Sequence, residues 1–196
     1  MDINWYLVLA VLSGVLSLIS GFVYIKDVLK GGGARPNTVS FTLWAVLQWI
    51  AFFAQLSSGA SLSIVIVFFI ALNMTAVVIL SLFGYGYKHY GKIELYCVVL
   101  AILAIIGWQI TSNPLVAILC AIAGDLFAFI PTFIKTYHDP KSESAPSWGL
   151  VALASLFGVL STTKLDAPNI AFPLYLLLSN GAIFVFAYVG QRSKRA

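Results

Sequence analysis

Charge is what this sequence has least of. Only 9% of its 196 residues are Asp, Glu, Lys or Arg, while 61% are hydrophobic. A soluble domain of that size could not cover its surface from so small a polar stock. Between Pro36 and Tyr87 there is no charged residue, and between Leu95 and Ile134 there is a single one, Asp125. Runs of this kind predict lipid-spanning helices of about 20 residues each and leave no room for a large soluble domain. Cysteine is nearly absent too. Cys97 and Cys120 stand alone in apolar runs without CxxC spacing or a neighbouring His, so neither a disulfide framework nor a metal site is expected. The two histidines, His89 and His138, fall in predicted loops, which argues against an intramembrane Ser-His hydrolase. The last predicted helix holds no Lys, which argues against a retinal protein. No enzyme and no cofactor is expected.

What is present is a series of apolar segments cut by short polar breaks. Residues 5–25, 41–56, 62–83, 93–111, 114–135, 147–162 and 169–190 are predicted as seven transmembrane helices. The N-terminal segment has no basic leader region or small-residue cleavage site, so it is expected to be the first helix and not a removed signal. Asn37 or Ser40 is the expected N-cap of the second helix, and Pro114 the expected first residue of the fifth. The breaks are the glycine-rich loop before Pro36, SSGAS at Ser57 to Ser61, GYGYKHYGK from Gly84, the Ser- and Pro-rich stretch from Thr136 to Pro146, and TKLDAP from Thr163. The GGG run lacks the preceding strand and the following Lys-Ser/Thr pair of a phosphate cradle.

The net charge of +4 does not point to nucleic acid. Ten of the eleven Lys and Arg residues fall in breaks that share one side of a seven-span chain, and only Lys164 falls on the other. The positive-inside rule then places the N terminus outside and the C terminus in the cytoplasm, in a plasma (inner) membrane.

The chain also repeats itself. Sliding it by 107 residues superposes Ser40 on Ser147, Phe41 on Trp148, Leu43 on Leu150, Ala45 on Ala152 and Asn73 on Asn180. Upstream, FVYIKDVLK at Phe22 to Lys30 aligns with FAFIPTFIK at Phe127 to Lys135. Asn is scarce at mid-span, and both copies place it 33 residues after a loop-closing Ser. The expected fold is therefore an all-α membrane protein of two parallel three-helix bundles joined by a linker helix. Residues 1–84 form the first repeat, 85–113 a loop and the linker, 114–191 the second repeat, and 192–196 a basic tail.

Pro131, Thr132 and Lys135, the paired Ser40 and Ser147, and the paired Asn73 and Asn180 together resemble the SWEET and PQ-loop transporter superfamily, with its three-plus-one-plus-three plan. The first repeat departs by having Lys26 and Asp27 where a Pro-Gln pair would stand, and no Trp lies near the ends of helices 2 and 6. The resemblance implies an alternating-access carrier for a small polar solute, a sugar first, and leaves a homo-oligomer open. Asn73 and Asn180 are the expected substrate-binding pair, since two facing amides replace a solute's hydration without burying a charge. A lone Asn in a span more often bonds a neighbouring helix. Asp125, costly at mid-membrane and without an acidic counterpart in helix 1, is the candidate for proton or substrate coupling. A proton-coupled carrier of amino acids or other metabolites is the alternative, since PQ-loop carriers similar to the lysosomal cystine exporter family use an acid in the helix that here carries Asp125. Pro131, Trp148 and Asp27 are candidate gate or hinge residues, with Lys30 or Lys135 as partners for Asp27. A sorting receptor of the same architecture is the alternative of another class, and it would need a strongly basic cavity. Gly21, Gly124 and Gly158 are expected where backbones bend or approach closely, and Trp44, Trp49 and Trp108 mostly in packing or at the interface.

Overall fold

The computed structural model describes residues 4–30, 33–57, 63–87, 91–110, 114–162 and 167–193. All but the first residue of the expected break at Ser57 to Ser61, the residues Lys88, His89 and Lys164, the last three residues of the tail, and the side chain of Trp108 lie outside the described residues. Among the described residues there are seven α-helices and no strand: α1 Trp5–Leu29, α2 Thr38–Ser57, α3 Ser63–Leu80, α4 Lys92–Ile110, α5 Pro114–His138, α6 Ala145–Leu160 and α7 Ala167–Ser193.

Local chemistry fixes where several of these helices begin. The first backbone N–H groups of a helix need an outside acceptor. Asn4 supplies one to Leu7 at 3.2 Å, and Asn37 supplies one to both Val39 and Ser40 at 3.1 and 3.2 Å. Ser144 does the same for Ser147, so α6 opens at Ala145, two residues before the predicted start at Ser147. Pro114 opens α5, where its missing N–H costs nothing. The predicted loop from Thr136 is a correction: α5 runs on to His138, so Lys135 and His138 are helical. At its far end α3 widens into one π-helical turn, Ser81–Tyr85. There Gly84 has φ of 103°, a conformation that a Cβ would resist.

The surface is strongly apolar, and the interior holds many polar side chains beside its apolar core. Phe22, Leu82, Phe83, Leu103 and Ile110 are exposed, whereas Ser20, Asn37, Ser40, Asn73, Thr132, Lys135, Glu143 and Asn180 are buried. Lipid around the chain accounts for that inversion, since water would favour the reverse. Among the described residues, four stretches are long and apolar enough to cross a membrane: Trp5–Leu29, Phe68–Tyr85, Leu119–His138 and Ile170–Ser193. These fit an integral membrane protein. Helix α6 is apolar but shorter.

Helices α1 and α2 both pack on α3, and α5 and α6 both pack on α7. Between these groups α1 lies along α6 and α2 against α5, while α4 packs mainly on α5 and touches α2. Small hydroxyls hold α1 to α6. Ser13 donates to the Ala154 carbonyl at 2.7 Å, and Ser20 and Ser147 exchange hydrogen bonds with each other's backbone at 2.9 Å. Small side chains of this kind let two helices approach closely in an apolar medium.

Candidate functional site

Between the two groups of helices lies a cavity of about 190 Å³. Its wall comes from α1, α2, α3, α5, α6 and α7, that is, from every helix except α4. Of the six site residues expected from sequence, four line it: Asn73 from α3, Asn180 from α7, Asp125 from α5 and Trp148 from α6. Pro131 is buried inside α5 below it, and Asp27 sits at the end of α1.

The two asparagines are equally buried, each 8% exposed, but they are not equivalent. Asn180 gives one amide N–H to the Leu176 carbonyl of its own helix at 2.6 Å, leaving its oxygen and its second N–H to offer. Asn73 makes no side-chain hydrogen bond among the described residues, so its whole amide is available. It owes its position to Gly21. A Cβ on Gly21 would stand 2.8 Å from both Cγ and Nδ2 of Asn73, so the amide rests on bare α1 backbone. Gly21 is therefore a close-approach glycine. Gly124 and Gly158 have room for a Cβ, with their nearest neighbours outside the helix at 3.5 Å.

Asp125 accepts a hydrogen bond from the Tyr175 hydroxyl at 2.7 Å, which ties α5 to α7. Among the described residues lining the cavity there is no Lys, Arg or His to pair with this carboxyl. Ser17, Gln48, Ser155 and Ser179 add further polar groups to the wall.

One end of the cavity is closed by aromatic rings. Tyr24 packs on Phe41 with centroids 5.0 Å apart, Phe41 on Trp44 at 5.2 Å, and Trp44 on Trp148 at 6.0 Å. Phe129 completes this floor at 6.4 Å from Trp44. Trp44, expected mostly in packing or at the interface, is thus a wall residue.

Beneath the rings lies an ion pair that the sequence did not disclose. Trp148 donates its indole N–H to Glu143 Oε2 at 2.7 Å, and the other carboxylate oxygen accepts from Lys135. The side chains of Lys135 and Glu143 are 1% and 0% exposed. Lys135 also donates to the Ser142 carbonyl at 3.2 Å and to the Arg35 carbonyl, and it stands 5.7 Å from the centre of the Tyr87 ring. These contacts join the loop after α1, the end of α3 and the loop after α5. Backbone bonds from Arg35 to Ser142 at 2.8 Å and from Tyr87 to Pro36 at 2.9 Å reinforce the junction. A charged pair so deeply placed persists only because its remaining lone pairs and protons are also bonded.

Asp27 stands near the end of α1. It pairs with Lys30 at 3.2 Å, one of the two partners expected, and not with Lys135, which Glu143 holds. Its second oxygen accepts from the Ser144 hydroxyl at 2.5 Å, so it clips the end of α1 to the start of α6. Both cysteines are free thiols, and no group of three metal-ligating side chains occurs among the described residues.

Compared with protein-family models, with curated proteins and with solved structures, the chain finds no match in any of the three.

Proposed function

We propose that this chain is a membrane carrier that moves a small polar solute by alternating access, built as seven spans in a three-plus-one-plus-three plan like that of the SWEET and PQ-loop transporters. The packing pattern supports the plan. Exchanging α1 with α5, α2 with α6 and α3 with α7 turns each principal contact between these helices into another one, the α1–α6 contact into the α2–α5 contact included. Helix α4 stands outside that exchange, as a linker would. The observation that carries the functional reading is that Asn73 and Asn180, one from each copy, line the same central cavity. Parallel repeats build their substrate sites at such a junction.

In this reading the end closed by the aromatic floor and the Lys135–Glu143 pair is the cytoplasmic end. The described Lys26, Lys30, Arg35, Lys141 and Arg192 cluster with the same loops, as the positive-inside rule requires of a chain in the plasma (inner) membrane. The resemblance puts a sugar first among solutes. Proton-coupled transport of an amino acid or related metabolite is the second reading, favoured by Asp125, a carboxyl in the cavity bonded by the neutral Tyr175. In that case Asp125→Asn eliminates the pH dependence of uptake. A sorting receptor is less well supported, because no cationic side chain lines the cavity among the described residues. Solute flux in proteoliposomes separates the classes: a carrier equilibrates its solute across the bilayer, whereas a receptor binds its ligand stably without flux.

A further inference from the structure

We infer that the solute this cavity takes is a small hydroxylated organic cation, an ammonium compound of the size of an amino alcohol. The inference rests on the carrier reading above and, from the cavity wall, puts a cation ahead of the sugar that the resemblance puts first. The described lining residues contribute one carboxyl, Asp125, and no basic side chain to neutralise it. That carboxyl is bonded by a neutral hydroxyl, Tyr175 at 2.7 Å. An isolated carboxylate away from water is costly until a positive partner arrives, so a cationic solute completes the site where an anion would oppose it.

The aromatic floor points the same way independently. Tyr24, Phe41, Trp44 and Trp148 all line the cavity and pack against one another with centroids 5.0 to 6.3 Å apart. The faces of such rings carry negative potential, and clustered rings of this kind bind alkylated ammonium groups. The negative charge of Glu143 behind Trp148 is matched by Lys135, so the described site keeps a single uncompensated acidic group. Asn73, with its free amide, is left to bond the solute's hydroxyl. Neither feature asks for a bulky partner, and a cavity of about 190 Å³ would not hold one.

Calorimetric titration of the purified chain in detergent tests this with matched pairs that differ in charge: choline against its uncharged dimethylbutanol isostere, and ethanolamine against ethylene glycol, with glucose alongside. In at least one pair the cation is expected to bind at least about tenfold more tightly than its neutral partner. Asp125→Asn is expected to remove that preference. Neutral partners that bind as well as both cations, glucose that binds more tightly than either cation, or no binding by any of the five overturns the inference. The solute comparison is made on the unaltered chain, so it decides the matter even where the variant does not fold. Flux in proteoliposomes distinguishes the two levels: a cation that binds with the expected preference but is not carried leaves the ligand class standing and overturns the carrier.

Discussion

The Lys135–Glu143 pair predicts an unusual pattern of stability. Both side chains are essentially unexposed, and each is held by further bonds, Glu143 by the Trp148 indole and Lys135 by the carbonyls of Ser142 and Arg35. Removing one member of such a pair strands the other charge and typically costs about 3–5 kcal/mol, whereas replacing both with neutral groups of similar volume is often close to neutral. For a chain of this length, about 2–4 °C is lost per kcal/mol, so Lys135→Met or Glu143→Gln alone should lower the unfolding temperature by roughly 6–20 °C. Lys135→Met should be the worse of the two, because the stranded ammonium of Glu143→Gln keeps its two carbonyl partners. In the double variant, the amide oxygen of the introduced glutamine is expected to keep accepting from the Trp148 indole, and Ser142 still receives the Arg35 N–H. The Arg35 carbonyl alone loses its donor, at a cost of about 1–3 kcal/mol. The double variant should therefore lose less than the worse single variant, and far less than the two single losses added together. Thermal unfolding of the purified protein in detergent, followed by tryptophan fluorescence, measures all three. Losses that simply add in the double variant would show that the two charges do not depend on each other, and the reasoning would fail.

Further outcomes follow from the cavity wall. Gly21→Ala drives a methyl into the Asn73 amide, so solute affinity should fall by at least about tenfold while the chain stays folded, and unchanged affinity would remove Asn73 from the site. Trp148→Phe keeps the ring of the floor but takes one donor from buried Glu143, and should cost about 1–3 kcal/mol in thermal unfolding; a loss indistinguishable from zero would mean that the indole bond is not formed. Asp27→Asn weakens the clip between α1 and α6 and leaves the cavity untouched, so stability is expected to fall by about 1 kcal/mol with affinity unchanged. A change in affinity of more than a fewfold would contradict that separation.

Much of the architecture is legible in the sequence because lipid imposes one demand throughout: charge-free runs of about 20 residues, ended by polar breaks. The starts of α2 and α5 follow from Asn37 and Pro114, whose chemistry is local. The paired asparagines are legible for a different reason, since a mid-span amide recurring at the same distance from a loop Ser is too rare in an apolar background to be noise. The buried ion pair is not legible. Asp139, Lys141 and Glu143 look like a solvated loop of mixed charge, and nothing local says that the helix continues past Lys135 or that the loop after α1 folds over it. Tyr175 and Trp44 were hidden in the same way: a membrane sequence is full of aromatics, and only the packing of α2 and α7 around the cavity tells wall from filler. The part played by Gly21 was out of reach too, because it depends on a side chain from another helix.

Uptake by proteoliposomes carrying Asn73→Ala or Asn180→Ala, set beside the unaltered chain, bears most directly on the claim that matched amides from two helical units form a transport site. Each variant is expected to unfold at close to the original temperature and to lose uptake, Asn73→Ala the more completely because Asn180 shares its amide with the Leu176 carbonyl. Uptake at the original rate in both variants would contradict the claim.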